Sequence, residues 1–346
     1  MKKIVFLGLL AICFFSCKKE NKVQNVERAF YYWKNDTDLN YQDVKRLTDL
    51  QVKKMYIKYF EIDYNEAMGN FPFAKNDRIN YEVKTIEGLN IIPTVYIKNE
   101  IFKFNSEKDL DILADNIVFL VDKYNKEMSE KAVTNKEIQI DCDWTASTKD
   151  NYFYLLKKIK VLSKRDISCT LRLYPYKYPE KMGIPPVDKV TLMCYNLIKP
   201  LSQKDKNSIL DYDELKLYLD KERTYPKHID VALPIFFWSH LYQGNQFTQV
   251  LKMNSKDLKS FTKPLRPMWY EVTKDTVVDY SNYIRKGDKI KCEEVSPETI
   301  EKTIALIKKN VTLEKEITVS FYHIDNEVLN QYPNEELSDF YDSFTK

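Results

Sequence analysis

The stretch Glu137-Ile138-Gln139-Ile140-Asp141-Cys142-Asp143-Trp144-Thr145 constrains this chain most. It reads as a short strand that ends in acids. Gln139, Asp141 and Asp143 alternate with Ile138, Ile140, Cys142 and Trp144, so period-2 spacing sends the two sets to opposite faces. The neighbouring strand-like runs read as buried on both faces. Two aspartates shown to an enclosed interior are costly unless each finds a partner. Chains keep such costs mainly where binding or chemistry needs them, and the acids stand at the C-terminal end of the strand, where α/β folds place their sites. A structural network of ion pairs is the competing reading.

The rest of the chain supplies a frame of the right kind. Strand-like runs fall at Glu27 to Trp33, Val52 to Ile62, Asn90 to Lys98, 137–144, Asp166 to Tyr174, Val187 to Asn196, Ile229 to Trp238 and Glu316 to Ile324. Helical spacing separates most of them: Tyr41 to Leu50, a helix from Ser106 to about Met128, one capped by Ser147, one over Asp213 to Arg223, one opened by Ser296-Pro297, and a closing helix from Glu327 to Phe344. Asp63 to Asn90, broken by Gly69, Pro72 and Gly88, reads as a loop. Ser239 to Val295 is too long for a bare loop and reads as a small inserted α+β subdomain. Eight strands alternating with helices predict an α/β (β/α)8 TIM barrel over residues 27–346, with residues 239–295 inserted after the seventh strand. An open doubly wound sheet is the alternative.

Ahead of the barrel, Met1-Lys2-Lys3 is a basic start and Ile4 to Phe15 an apolar run of signal-peptide length, short for a membrane span. Ser16-Cys17 and the charged Lys18-Lys19-Glu20 follow. This order resembles a bacterial lipoprotein signal. The resemblance implies that residues 1–17 are processed, that Cys17 carries lipid, and that residues 18–26 form a tether. With Lys19 two places after the cysteine, it implies the outer membrane, reached through the lipid anchor alone.

Composition narrows the function classes. A net charge of +3 with both signs interspersed leaves no basic footprint for nucleic acid. Six glycines, with neither G-x-G-x-x-G nor a P-loop, argue against phosphate-cradling loops, and no cofactor is indicated. His228, His240 and His323 are scattered and no C-x-x-C occurs, so no metal site is expected. Cys142, Cys169 and Cys194 each sit in a different apolar strand and read as small buried hydrophobes. Aromatics reach 14 %, with 25 Tyr, which suits a flat amphipathic ligand such as a sugar.

With the strands placed, Asp141-Cys142-Asp143-Trp144-Thr145 resembles the fourth-strand signature of glycoside hydrolase family 18, the chitinase-like barrels, whose pattern ends Asp-x-Asp-x-Glu. Met193-Cys194-Tyr195-Asn196 resembles that family's sixth-strand Met-x-Tyr-Asp/Asn signature. A subdomain after the seventh strand also occurs in some members, and bacterial glycosidase-like lipoprotein families of unknown function look closer still. The resemblance implies a glycan ligand at the C-terminal ends of the strands, with Asp143 positioning an acetamido group and Tyr195 and Asn196 contacting substrate. It also exposes a departure: Thr145 stands where the family carries its catalytic Glu, and a hydroxyl cannot be that acid. Asp141 and Asp143 remain as catalytic candidates, with Glu61, Asp63 and Glu271 as replacement acids. Lys58 and Arg172, lone cations in apolar runs, are expected inside the barrel as partners of the two aspartates. Trp33 and Trp238 are expected as apolar platforms from strands one and seven. A glycosidase and a non-catalytic carbohydrate-binding or surface-assembly protein both stay open at this point.

Overall fold

A computed structural model describes residues 23–35, 39–76, 86–127, 136–278 and 282–346. The signal segment, Cys17 and most of the tether lie outside the described residues, as does Tyr280 of the insertion. Eight parallel strands form the ring: Asn25–Tyr32, Lys54–Asn65, Asn90–Ile97, Glu137–Asp141, Asp166–Arg172, Lys189–Met193, His228–Pro234 and Glu316–Tyr322. The first strand pairs with both the second and the eighth, which closes the sheet into a barrel. The fold is a TIM barrel with an antiparallel sheet inserted after the seventh strand; the open-sheet alternative fails because no strand of the ring has a free edge.

Local chemistry explains most of the helices. Asn40 accepts from the backbone N–H groups of Gln42 and Asp43, and the Asp43 carboxylate returns to the Asn40 N–H, so a capping box starts the helix Tyr41–Asp49. The long helix Glu107–Glu127 lays Leu110, Leu113, Ala114, Ile117 and Val121 on one buried face. Ser296 accepts from the Thr299 N–H and Pro297 opens Pro297–Asn310. Three sequence expectations change. The helix Lys149–Ser163 starts after Thr148, not after a Ser147 cap. The closing helix is two pieces, Asn326–Leu329 and Asn334–Asp342, because Pro333 interrupts it. The first strand begins at Asn25, inside the stretch expected as tether, with Gln24 and Asn25 donating to the Lys315 carbonyl.

The second strand departs furthest from its reading. It continues past Ile62 to Asn65, turns through Gly69 at φ 68°, and pairs antiparallel with Gly69–Phe73. A hairpin thus stands where a loop was expected; residues 77–85 of that stretch lie outside the described residues. The strand also carries a bulge: Lys58 pairs with Thr94 but Phe60 with Val95, leaving Tyr59 as the extra residue. Strict alternation from Lys58 would send Glu61 outward. The bulge resets the parity, so Lys58 and Glu61 both face the lumen, while Phe60 packs on Tyr124 and the Tyr59 hydroxyl donates to Asn125 of the long helix at 2.8 Å.

The insertion is mostly β, with strands Trp238–Gln243, Gln246–Leu251, Thr262–Arg266, Trp269–Val272 and Lys289–Glu293 in one antiparallel sheet and, among the described residues, one short helix, Ser255–Leu258. It has its own core of Leu241, Leu251, Leu258, Phe261, Val272, Ile284, Ile290 and Cys292. Buried Lys291 and Glu293 fasten it to the loop after the sixth barrel strand. Lys291 Nζ donates to the carbonyls of Gln203 at 3.0 Å and Lys206 at 2.7 Å, and Glu293 accepts from the Ser208 N–H at 3.0 Å. No described helix is long and apolar enough to cross a membrane.

Candidate functional site

Inward-facing positions build two polar layers. At the N-terminal end of the barrel, Lys189 Nζ lies 2.8 Å from Glu137 and 3.6 Å from Asp230, His228 lies 3.1 Å from Asp230, and Lys54 pairs with Glu27 and donates to Thr318 at 3.0 Å. Sequence reading missed this layer. In the middle, the Tyr31 hydroxyl donates to Gln139 at 2.8 Å, and Gln139 Nε2 donates to Thr191 at 3.2 Å.

At the C-terminal end these layers open into a cavity of about 180 Å³. Its walls bring together Asp141 and Asp143, Glu61, Arg172, Tyr195, Asn196 and Trp33, with Tyr31, Tyr96, Thr170, Met193 and Tyr322. The strand ends at Asp141, yet its alternation carries on for two residues. Asp143 stays on the lumen side, while Cys142 and Trp144 turn outward into the helical shell. There Trp144 stacks on Tyr152 at 5.3 Å and donates to the Met182 carbonyl at 3.1 Å. Cys142, Cys169 and Cys194 are free and buried in the same shell.

The two aspartates sit in different surroundings. Asp141 is buried on the floor and accepts from the Thr170 hydroxyl at 2.5 Å. Burial, then the charge of Asp143, pushes its carboxyl up to about 7, against the smaller opposing effects of the Thr170 hydrogen bond and the Arg172 charge. Near neutral pH it is therefore a group that can hold or release a proton. Asp143 is half exposed, and its Oδ1 lies 3.3 Å from Arg172 Nε. Arg172 also donates to the Asn196 carbonyl at 3.2 Å, linking the fourth, fifth and sixth strands. Burial raises the Tyr195 and Tyr322 hydroxyls above the ordinary tyrosine range, so both remain protonated donors. Asn196 takes a left-handed backbone at φ 53°, and its side-chain oxygen is buried without a partner.

Other sequence expectations need correction. Lys58 is inside the barrel, but its partner is Glu61 rather than either aspartate, and its ammonium lies 5.4 Å from the Trp33 ring. It supports the wall from behind and does not line the cavity. Trp238 is not a platform of this cavity either. The seventh strand stops at Pro234, and Trp238 opens the first strand of the insertion, where its indole donates to Glu293 at 2.6 Å. Asp63 pairs with Lys98 on the hairpin extension, and Glu271 faces Lys263 at 3.4 Å in the inserted sheet, so neither reaches the site. Thr145 sits just outside, its hydroxyl 3.0 Å from both Ser147 and Thr148. Sequence reading missed Tyr31, Tyr96, Thr170 and Tyr322, and had Met193 only as part of the sixth-strand motif. For the three tyrosines the available signal was an aromatic near the C-terminal end of the first, third and eighth strands. Here Trp33 packs against Tyr96 at 6.5 Å and Tyr322 at 5.8 Å, and Tyr322 stacks on Tyr195 at 5.2 Å.

No protein-family model matches this chain, and no curated protein matches it in sequence. Solved structures do. The chain is similar to the spore cortex-lytic enzyme SleL of Bacillus cereus, with a TM-score of 0.56 and 15 % identity over 94 % of this chain and 75 % of that one. It is similar to the chitinase from Chromobacterium violaceum, with a TM-score of 0.53 and 11 % identity over 92 % and 98 %. A Group IV chitinase of Ostrinia furnacalis gives 0.50 and 8 % over 93 % and 100 %. At such identities the likeness establishes the fold alone, a barrel like that of these chitinases and of SleL.

Proposed function

We propose that this protein binds a glycan at the C-terminal face of its barrel, with one sugar held between Trp33 and the Asp141/Asp143 pair. The observation that carries this reading is the cavity itself: an aromatic wall faces two aspartates, a glutamate and Asn196. Sugars present apolar ring faces and rows of hydroxyl donors, and such a wall answers both. In this reading Asp143 accepts from the substituent next to the scissile or terminal position, Tyr195 donates, and Trp33 stacks. A panel of immobilised oligosaccharides, read for binding and for new reducing ends, tests it with the purified full chain in detergent. Binding to acetamido sugars is expected; a panel with no binder would overturn the reading.

Hydrolysis is the second reading, favoured by the elevated carboxyl of Asp141 beside Asp143. A carboxyl raised to about 7 can serve as a general acid or base near neutral pH. The glycosidase chemistry would then run from Asp141 or Glu61 and not from position 145. We also propose that Cys17 is lipidated and places the barrel at the bacterial outer membrane, with no other contact with the bilayer. Cys17→Ser, expressed in a bacterial host, should leave the protein in the soluble fraction; a mutant that still sediments with membranes as wild type does would sink the anchor.

A further inference from the structure

A second cavity, of about 400 Å³, adjoins the first and shares Asp143 and Arg172 with it. Its character differs. Tyr96, Tyr195 and Tyr322 are gone from the lining; Tyr174 and Lys181 take their place, from the segment after the fifth strand. That segment forms two short helices, Leu173–Lys177 and Pro179–Met182, and swings Lys181 back over the cavity. Lys181 Nζ is held 3.0 Å from the Tyr174 hydroxyl, with its charge 5.6 Å from the Tyr174 ring, so an exposed lysine is kept at the rim. Lys149 stands behind it, 3.5 Å from the Lys181 carbonyl.

The charge count around this space is one-sided. Asp143 is the carboxylate in the lining, and it is engaged by Arg172 through Nε. Arg172 uses Nη2 on the Asn196 carbonyl, and among the described residues its Nη1 has no protein partner. Lys181 uses one of three donors on a neutral hydroxyl. Glu180, exposed on the same short helix, and Asp150, exposed in the first turn of the helix Lys149–Ser163, are acids that do not enter the lining. The fourth-strand loop that forms the far wall, Trp144 to Ala146, leads into the helix Lys149–Ser163. An uncharged sugar would leave these donors with water. A carboxylate would take Arg172 Nη1 and Lys181 Nζ together in charge-assisted hydrogen bonds.

We infer that the glycan bound here is anionic, with a carboxylate-bearing sugar seated in the second cavity between Arg172 and Lys181. The inference rests on the glycan reading of the first cavity and specifies the substrate class for it. The test uses two acetamido-sugar oligosaccharides of equal length, one neutral and one carrying a carboxylate ether on alternate rings. Affinities are measured by calorimetry on the full chain in detergent. Wild type should prefer the carboxylate form by at least about tenfold. Lys181→Met should erase most of that preference, Lys181→Arg should restore it, and raised salt should shrink it. Equal affinities in wild type, or a Lys181→Met variant that keeps the preference, would overturn the inference while leaving the first cavity as a sugar site. Binding of neither oligosaccharide would overturn both.

Discussion

Asp230 and Asp141 are the same side chain at the two ends of the same barrel, both inward-facing and both buried, and their carboxyls are driven in opposite directions. At the N-terminal end Asp230 is held below the ordinary carboxylate range. Burial opposes this, but His228, Lys189, Lys54 and the Thr318 N–H together outweigh it. At the C-terminal end Asp141 is pushed up to about 7, because a single threonine hydroxyl and a more distant arginine cannot offset burial and the neighbouring charge of Asp143. Burial is common to both, so partners decide. The lower layer is an ion-pair network whose cations hold its acid ionised, although Asp230 Oδ2 has no hydrogen-bond partner; the upper layer gives Asp141 fewer partners, which is what a site awaiting a ligand requires.

The comparison can be broken from the lower end first. Asp230→Ala leaves Lys189 and His228 without their shared acid in a buried layer, and should cost about 3–5 kcal/mol in urea unfolding at neutral pH. A loss near zero would mean that the lower network contributes nothing to stability.

Asp141 should behave in the opposite sense. Its folded carboxyl lies above its unfolded value of about 4, so its contribution to stability is complete below that pH and is lost as pH rises toward 7. Asp141→Asn removes the ionisation. The variant should overtake wild type in stability between pH 5 and pH 8, by up to about 4 kcal/mol at the alkaline end. Parallel stability curves for the two proteins would contradict the contrast.

His228 sharpens the lower layer further. Its hydrogen bonds to Asp230 and Glu314 raise it to about 9, so its contribution is complete below about pH 6.5 and is lost as pH rises through 9. His228→Gln should flatten that alkaline loss, a change of at most about 3 kcal/mol, read from unfolding midpoints at pH 6 and pH 10.

Period-2 alternation made much of this layout readable. It placed Asp141 and Asp143 together on one face and Cys142 on the other, as the barrel has them. It failed where the chain leaves regular alternation. The Tyr59 bulge brings Glu61 inside and hands it Lys58, and no local residue pattern announces a one-residue insertion whose cause is pairing with the third strand. Trp238 reads as the end of a continuous apolar run, Ile229 to Trp238, yet Glu293 from 55 residues further on takes its indole N–H into the insertion. The hairpin after the second strand was hidden by Gly69 and Pro72, which mark a loop as readily as an edge strand. The lower network escaped notice because Glu137, Lys189 and Asp230 lie on three different strands, and only the assembled sheet makes them neighbours.

The central claim is that the upper acids are there for a ligand. Asp143→Asn tests it most directly, since the change keeps size and hydrogen bonding, removes one charge, and falls on a half-exposed group outside the buried floor. Calorimetric titration of wild type and Asp143→Asn with the best binder of the oligosaccharide panel is the measurement. The account predicts at least tenfold weaker binding, about 1.4 kcal/mol, with the unfolding midpoint little changed. Unchanged affinity in a folded Asp143→Asn protein would make the fourth-strand acids structural, like those at the other end of the barrel.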